Sequence, residues 1–207
     1  MKLSSSQRES LASATLTYAE ALPGSPAEEY LAGRGIDATV ADIYHLGFVD
    51  VPEVGHEPYL GRLAIPYVTP AGPVDIRFRA LSGDGPKYLT RPGAQPHLYN
   101  VKAFGEDSDV IALTEGELDA VVAHGLAGIP AVGVPGAQAW KPFYARAFQD
   151  YDRVILLCDG DEPGKGWGKR IAAEIESAVV ITMPDGMDVN DIVLAEGPDG
   201  LRKRAGL

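Results

Sequence analysis

VIALTEGELDAVVAHGLAGIPAVGV, residues 110–134, decides the fold. The unbroken apolar run VIALT (110–114) stops at Glu115-Gly116, a helix-like segment GELDAVVAHG follows, and a second apolar run, AVGV (131–134), closes the unit. Strands that alternate with helices, and that carry no polar residue on either face, require a parallel sheet covered on both sides. Downstream the same texture repeats. A helix is expected from about 140 to 149, a strand at RVILLC (153–158), a helix from about 163 to 176 and a strand at AVVITM (178–183). The fold class is therefore α/β.

Upstream, between about 60 and 104, short strand-like runs LAIPYV (63–68) and VDIRFRA (74–80) are separated by the turn signals TPAGP, SGDGP and RPGAQP, which describes a small β-rich segment. Before it come three helices. An amphipathic one spans about 5 to 21. Ser25-Pro26-Ala27-Glu28 opens another, over about 26 to 33, as a capping box with proline at the first helical position. Asp37 caps a third, DATVADIYHLG, with Gly47 as its end. The expected organisation is an N-terminal helical and basic β subdomain over 1–104 and a parallel-sheet domain with C-terminal helices over 105–207.

The 207 residues suffice for a real core, and 45% apolar with 8% aromatic residues belongs to a globular chain. MKLSSSQRES has no apolar core of the signal-peptide kind, and no run reaches the roughly 20 apolar residues of a membrane span, so a cytoplasmic protein is expected. One cysteine, Cys158, excludes an internal disulfide and a cysteine-rich zinc site, and reads as a small buried strand residue. The net charge of −11 argues against a protein that coats DNA. The average conceals a basic stretch. From Arg62 to Lys102 the chain carries Arg62, Arg77, Arg79, Lys87, Arg91 and Lys102 against Asp75 and Asp84, either as a basic face or as ordinary solvated side chains.

Ligands of open parallel sheets bind beyond the carboxyl ends of the strands. Three strand ends here are acidic: Glu115-Gly116, Asp159-Gly160-Asp161 and the segment Pro184-Asp185-Gly186-Met187-Asp188. Any one acid alone reads equally as a turn or cap residue, and Asp161 ahead of Glu162-Pro163 can cap the next helix. Converging carboxylates repel, and a hard divalent cation, Mg²⁺ or Mn²⁺, offsets that while leaving positions for water and phosphates. Gly160 frees the turn between two acids one residue apart. Asp119 lies one helical turn beyond Glu115, placed to hold the first turn or an outer-shell water.

EGELDA (115–120) resembles the EGxxDA element of the TOPRIM domain, and DGDEPG (159–164) resembles its DxDxxG element. TOPRIM domains occur in DnaG-type primases, type IA and II topoisomerases, certain nucleases and a recombination mediator. The resemblance implies that Glu115 is a general acid/base or metal ligand, that Asp159 and Asp161 bind metal, and that Gly116 and Asp119 support them. GMDVNDIVLAEG (186–197) is similar to the segment after the last TOPRIM strand of primases, where Asp188 assists metal binding. AEEYLAGRGIDATVADIYHLGFV resembles the opening of the DnaG-type polymerase core, and GRLAIPYVTPAGPVDIRFRALSGDGPKYLTRPGAQPHLYN resembles its basic β subdomain. Over roughly residues 26 to 195, the resemblance makes Arg62, Arg77, Arg79, Lys87 and Arg91 candidates for holding the template or the incoming triphosphate. Tyr67, Phe78, Tyr88 and Tyr99 are candidates for base stacking, with buried packing as the alternative.

The implied activity is a primase: a nucleotidyltransferase that makes short RNA primers on single-stranded DNA from nucleoside triphosphates. The zinc module that usually precedes such a core and the helicase module that follows are both missing from the pattern, as in stripped-down primase cores of phages and mobile elements. A replicative helicase or a separate zinc-module protein is the expected partner, and the bacterial host cytoplasm the expected location. Asn190 stands where cellular primases commonly place a second acid. The rivals are a TOPRIM nuclease and a non-catalytic DNA-binding module. A topoisomerase lacks room for its strand-gating domains, and no G-x-G-x-x-G follows the first strand to suggest a dinucleotide site.

Overall fold

Ser4 opens the first helix, α1 (Ser5–Glu20), through a reciprocal box: its hydroxyl accepts from the Gln7 N–H, and the Gln7 amide oxygen accepts from the Ser4 N–H at 2.8 Å. The computed structural model describes residues 3–83 and 85–207, so Asp84 of the expected SGDGP turn lies outside the described residues, as do Met1 and Lys2. It divides into two units, one up to Gln95 and one from Pro96 to Leu207.

In the first unit, α2 (Pro26–Ala32) is capped by Ser25 and α3 (Ala38–Ile43) by Asp37, whose carboxylate accepts from the Val40 N–H at 2.8 Å. α3 stops before the expected Gly47. Tyr44 caps it and His45 turns to a positive φ of 53°, while Gly47 begins β1 (Gly47–Phe48) instead. A Cβ on Gly47 would stand 2.4 Å from the Tyr18 carbonyl carbon, so the glycine serves close approach to α1 rather than helix termination.

β1, β2 (Leu63–Thr69), β3 (Gly72–Arg79) and β4 (Tyr88–Thr90) form an antiparallel sheet in that order. Pro66, within β2, pairs with Ile76 on one side only, because two-residue β1 does not reach it. Leu11, Ala14 and Tyr18 of α1 pack on Ala64, Ile76 and Phe78, and Phe78 stacks on Tyr59 with ring centres 3.9 Å apart. Strand alternation sends Asp75, Arg77 and Arg79 to the opposite face.

The second unit is the α/β domain. β5 (Val110–Thr114), β6 (Ala131–Gly133), β7 (Arg153–Cys158) and β8 (Ala178–Thr182) are all parallel in the order β6-β5-β7-β8. Between them lie α4 (Glu117–Val121), which runs on as a π-helical turn to Leu126, a 3₁₀ stretch over Pro142–Phe148, and α5 (Glu162–Ala172). After β8 comes α6 (Val189–Ala205). The expected helix at 140–149 is thus 3₁₀, with Pro142 in its first turn. Ile111, Leu113, Val154 and Leu156 bury one sheet face against Trp140, Tyr144, Phe148, Trp167 and Ile171. Tyr99 exchanges two backbone hydrogen bonds with Gly133 at 2.8 and 3.2 Å. That pairing assigns residues 96–104 to the second unit, ahead of the 104/105 division read from the sequence.

Candidate active site

The chain leaves β5 toward β6 on one side and returns to β7 on the other, so β5 and β7 are neighbours whose carboxyl ends face a crevice between diverging connections. Thr114 is level with Leu157 and Cys158 with Thr182, so Glu115, Asp159 and the segment 184–188 leave the sheet side by side. The Asp159 N–H donates to Glu115 Oε1 at 3.1 Å, which joins the two strand ends directly.

Gly160 explains why the third acidic segment lies against them. Its N–H donates to the Met187 carbonyl at 2.9 Å, and its carbonyl accepts from the Gly186 N–H at 3.3 Å. A Cβ at 160 would stand 1.8 Å from the Pro184 oxygen. The turn between Asp159 and Asp161 can therefore dock on the loop after β8 only with glycine at its centre. Gly164 is equally confined: a Cβ there would come within 2.5 Å of the Asp159 oxygen and 2.8 Å of Glu115 Oε1.

Two of the acids also cap helices. Asp161 Oδ1 accepts from the Gly164 N–H at 2.7 Å and starts α5, and Asp188 shares a capping box with Asp191, at 2.8 and 2.9 Å, and starts α6. The capping reading of Asp161 therefore holds, and Asp188 has the same role. Asp119 folds back over Gly116, where an added Cβ would lie 2.8 Å from its Oδ2. Burial pushes the Glu115 carboxyl above its ordinary range; the Asp159 N–H opposes this, the Asp161 and Asp119 carboxylates add to it, and Arg170 lowers it. Burial and the charges of Glu115 and Asp159 push the Cys158 thiol up to about 12, so it is an inert core residue. Among the described residues, no three His, Cys, Asp or Glu side chains stand close enough together to hold a metal as they are.

In the first unit, the basic residues divide by role. Arg77 lies over the Tyr88 ring at 4.1 Å; Arg79 lies between Tyr88 and Tyr30 at 5.1 and 5.2 Å and donates to the Tyr88 hydroxyl; Arg34 lies over Tyr30 at 5.3 Å and bonds its hydroxyl at 2.8 Å. This is an alternating arginine–tyrosine ladder. Tyr30 and Arg34 were missed in the sequence, although their spacing of four on a helix signals a shared face. Lys87 is exposed, and Arg62 donates to the Pro86 carbonyl at 3.1 Å. Arg91 is different: its Nε and Nη2 both bond Asp75 Oδ1, at 2.9 and 2.8 Å, and Asp75 is buried. Tyr67, Phe78 and Tyr99 are buried core residues. Only Tyr88 of the four stacking candidates belongs to the ladder.

Residues 112–193 match the family described as Toprim-like. Over 151 residues the chain is 46% identical to the Gene 57 protein of Mycobacterium phage D29, a match covering 70% of this chain and 99% of that protein. It is 26% identical to the DNA primase of Pseudomonas aeruginosa across 94% of this chain, and spans 37% of that primase's length. The RNA polymerase domain of Mycobacterium tuberculosis primase DnaG, solved in complex with double-stranded DNA, superposes with a TM-score of 0.78 at 25% identity, covering 96% of this chain and 80% of that one. The chain belongs to the family of the Gene 57 protein of Mycobacterium phage D29.

Proposed function

We propose that the chain is a primase: it joins nucleoside triphosphates into short RNA primers on a single-stranded DNA template. The observation that carries this reading is the Glu115–Asp159 pair at the switch point of a Toprim sheet, within a chain matched along nearly its whole length by primase catalytic cores.

The donor set, carboxylate oxygens alone, is of the kind that suits Mg²⁺ or Mn²⁺, and the acids would have to draw closer together to hold the ion. Glu115, Asp159, Asp161 and Asp188 would hold the ion, with Gly116 and Asp119 supporting the first of them. A bound divalent ion supplies charge neutralisation for the triphosphate and its leaving group. The chain's own residues do the rest. Glu115 would take the proton of the primer 3′-hydroxyl as that oxygen attacks the α-phosphate and pyrophosphate leaves. The first helical turns of α5 and α6 fix Asp161 and Asp188 through their caps. Exposed Lys87 and half-buried Arg62 and Arg77 offer cations for phosphates, while buried Arg79 holds Tyr88 and Tyr30 in the ladder.

A replicative helicase or a separate zinc-module protein is proposed as partner, in the cytoplasm of a bacterial host. No helix among the described residues is long and apolar enough to cross a membrane.

Incubation with a mixed-sequence single-stranded template, labelled ribonucleotides and Mg²⁺ or Mn²⁺ tests the reading, with the wild type compared with Asp159→Ala on a denaturing gel. Short labelled products absent from the variant are expected. Metal-dependent shortening of the template without synthesis would make the protein a Toprim nuclease. DNA binding that survives Asp159→Ala, with neither activity, would make it a binding module.

A further inference from the structure

Lys165 occupies the first turn of α5, where its N–H bonds the Asp161 carbonyl at 3.0 Å. A cation there opposes the helix dipole, which its i,i+3 pair with Glu162 offsets only weakly. Its Nζ reaches two carboxylates, Asp185 Oδ1 at 3.1 Å on the loop after β8 and Glu162 Oε1 at 3.3 Å. Both partners are almost wholly solvated, with side chains 94% and 88% exposed, whereas the Lys165 side chain is 36% exposed. Exposed pairs of this kind are weak and screened by salt, so the ammonium is readily released to a stronger anion.

Lys165 borders two of the acidic strand ends: its N–H bonds the carbonyl of Asp161, after β7, and its ammonium bonds Asp185, after β8. A triphosphate arriving here meets Glu115, Asp159, Asp161 and Asp188 on adjacent strand ends. Arg170 lowers the Glu115 pKa and donates to the Ala137 carbonyl, so it is set toward Glu115 rather than toward the loop after β8. Lys165 follows directly on Gly164, whose backbone packs against Glu115 Oε1.

On the primase reading, we propose that Lys165 is the residue that binds the terminal phosphates of the incoming nucleoside triphosphate, exchanging Asp185 and Glu162 for the phosphate oxygens. Asp185 then acts as a holding partner that keeps the ammonium at the edge of the site until substrate arrives.

Equilibrium binding of a fluorescent nucleoside triphosphate with a non-hydrolysable α–β bridge, in Mg²⁺, tests this on the full chain, with thermal unfolding as the check on folding. Lys165→Ala should weaken triphosphate binding about tenfold or more, the loss of one charge-assisted contact, and leave nucleoside monophosphate binding unchanged. Lys165→Arg should retain most of the affinity, and Asp185→Asn should bind as tightly as wild type or more so. Wild-type affinity in Lys165→Ala overturns the assignment. So does an equal loss in Asp185→Asn and Lys165→Ala, which would make the pair a loop tie. A wild type that binds no triphosphate would instead overturn the primase reading on which the assignment rests.

Discussion

The Asp159 N–H donates to Glu115 Oε1 at 3.1 Å, so the acid after one central strand is held by the backbone after its neighbour. The contact positions Glu115 without neutralising it. Because its folded pKa lies above the unfolded value, the ionised carboxylate costs stability at neutral pH, and that cost disappears as pH falls below the unfolded value.

Glu115→Gln therefore separates stability from chemistry. Its amide oxygen can still accept from Asp159 N–H, while the charge repelled by Asp161 and Asp119 is removed. On the primase reading, primer synthesis should fall at least about a hundredfold, as for loss of a general base, while the unfolding temperature in metal-free buffer stays level or rises. A variant that unfolds earlier than wild type would show that the charge at 115 stabilises the fold.

Two glycines of the same segment should respond in opposite directions to alanine. Gly160→Ala forces a methyl to 1.8 Å from the Pro184 oxygen, backbone that must move, and should cost at least about 2 kcal/mol. Gly166, inside α5, has nothing within 4 Å of an added Cβ. Gly166→Ala should add up to about 1 kcal/mol of helix propensity. Urea denaturation of the two variants measures both, and a tolerated Gly160→Ala would contradict the docking of the acidic turn on the loop after β8.

The placement of the acids is legible in the amino-acid sequence because the apolar runs mark both strands: Glu115 directly follows β5, and Asp159 directly follows β7. The docking of Gly160 on Pro184 is not legible there, since it depends on β7 and β8 ending level, a property of register rather than of local pattern. Gly47 misleads for a related reason. A glycine after a helical segment suggests a helix end, but its actual role is set by α1, which is distant in sequence. The cation stretch names Arg77, Arg79 and Arg91 together, and charge alone does not reveal that Arg91 bonds Asp75, sixteen positions earlier.

His56 makes the first unit sensitive to acid. Its Nδ1 meets the Tyr18 hydroxyl at 2.8 Å in a buried setting, with the rings of Tyr59 and Phe78 at 5.5 and 5.3 Å. Burial lowers its pKa, Arg91 adds to that, and Glu53, Glu57 and Asp75 oppose it. The unfolded chain thus takes up a proton near pH 6.5 before the folded one does. The neutral imidazole's contribution is complete above about pH 6.5 and is lost as pH falls toward and through the lower folded value. Unfolding free energies between pH 7.5 and 5 should decline more steeply for wild type than for His56→Gln, and parallel curves would show that His56 does not titrate on unfolding.

Arg91 tests whether its charge serves the template or the fold. The Asp75 side chain is only 9% exposed, and its Oδ1 accepts from Arg91 Nε and Nη2 as well as from the Ile76 N–H. Removing one partner of a buried pair leaves an uncompensated charge, which costs about 3–5 kcal/mol. Arg91→Ala should therefore lower the unfolding temperature of the first unit, and the double variant Asp75→Ala, Arg91→Ala should recover part of the loss. On the template reading, Lys87→Ala should instead leave stability nearly unchanged and reduce the salt slope of single-stranded DNA binding by about one. Because Arg91 is committed to Asp75, its loss should not change that slope once the comparison is made at a temperature where the variant is folded. An Arg91→Ala protein of wild-type stability with a reduced salt slope would move Arg91 from the fold to the template face, and would mean that Asp75 yields its partner when phosphate is present.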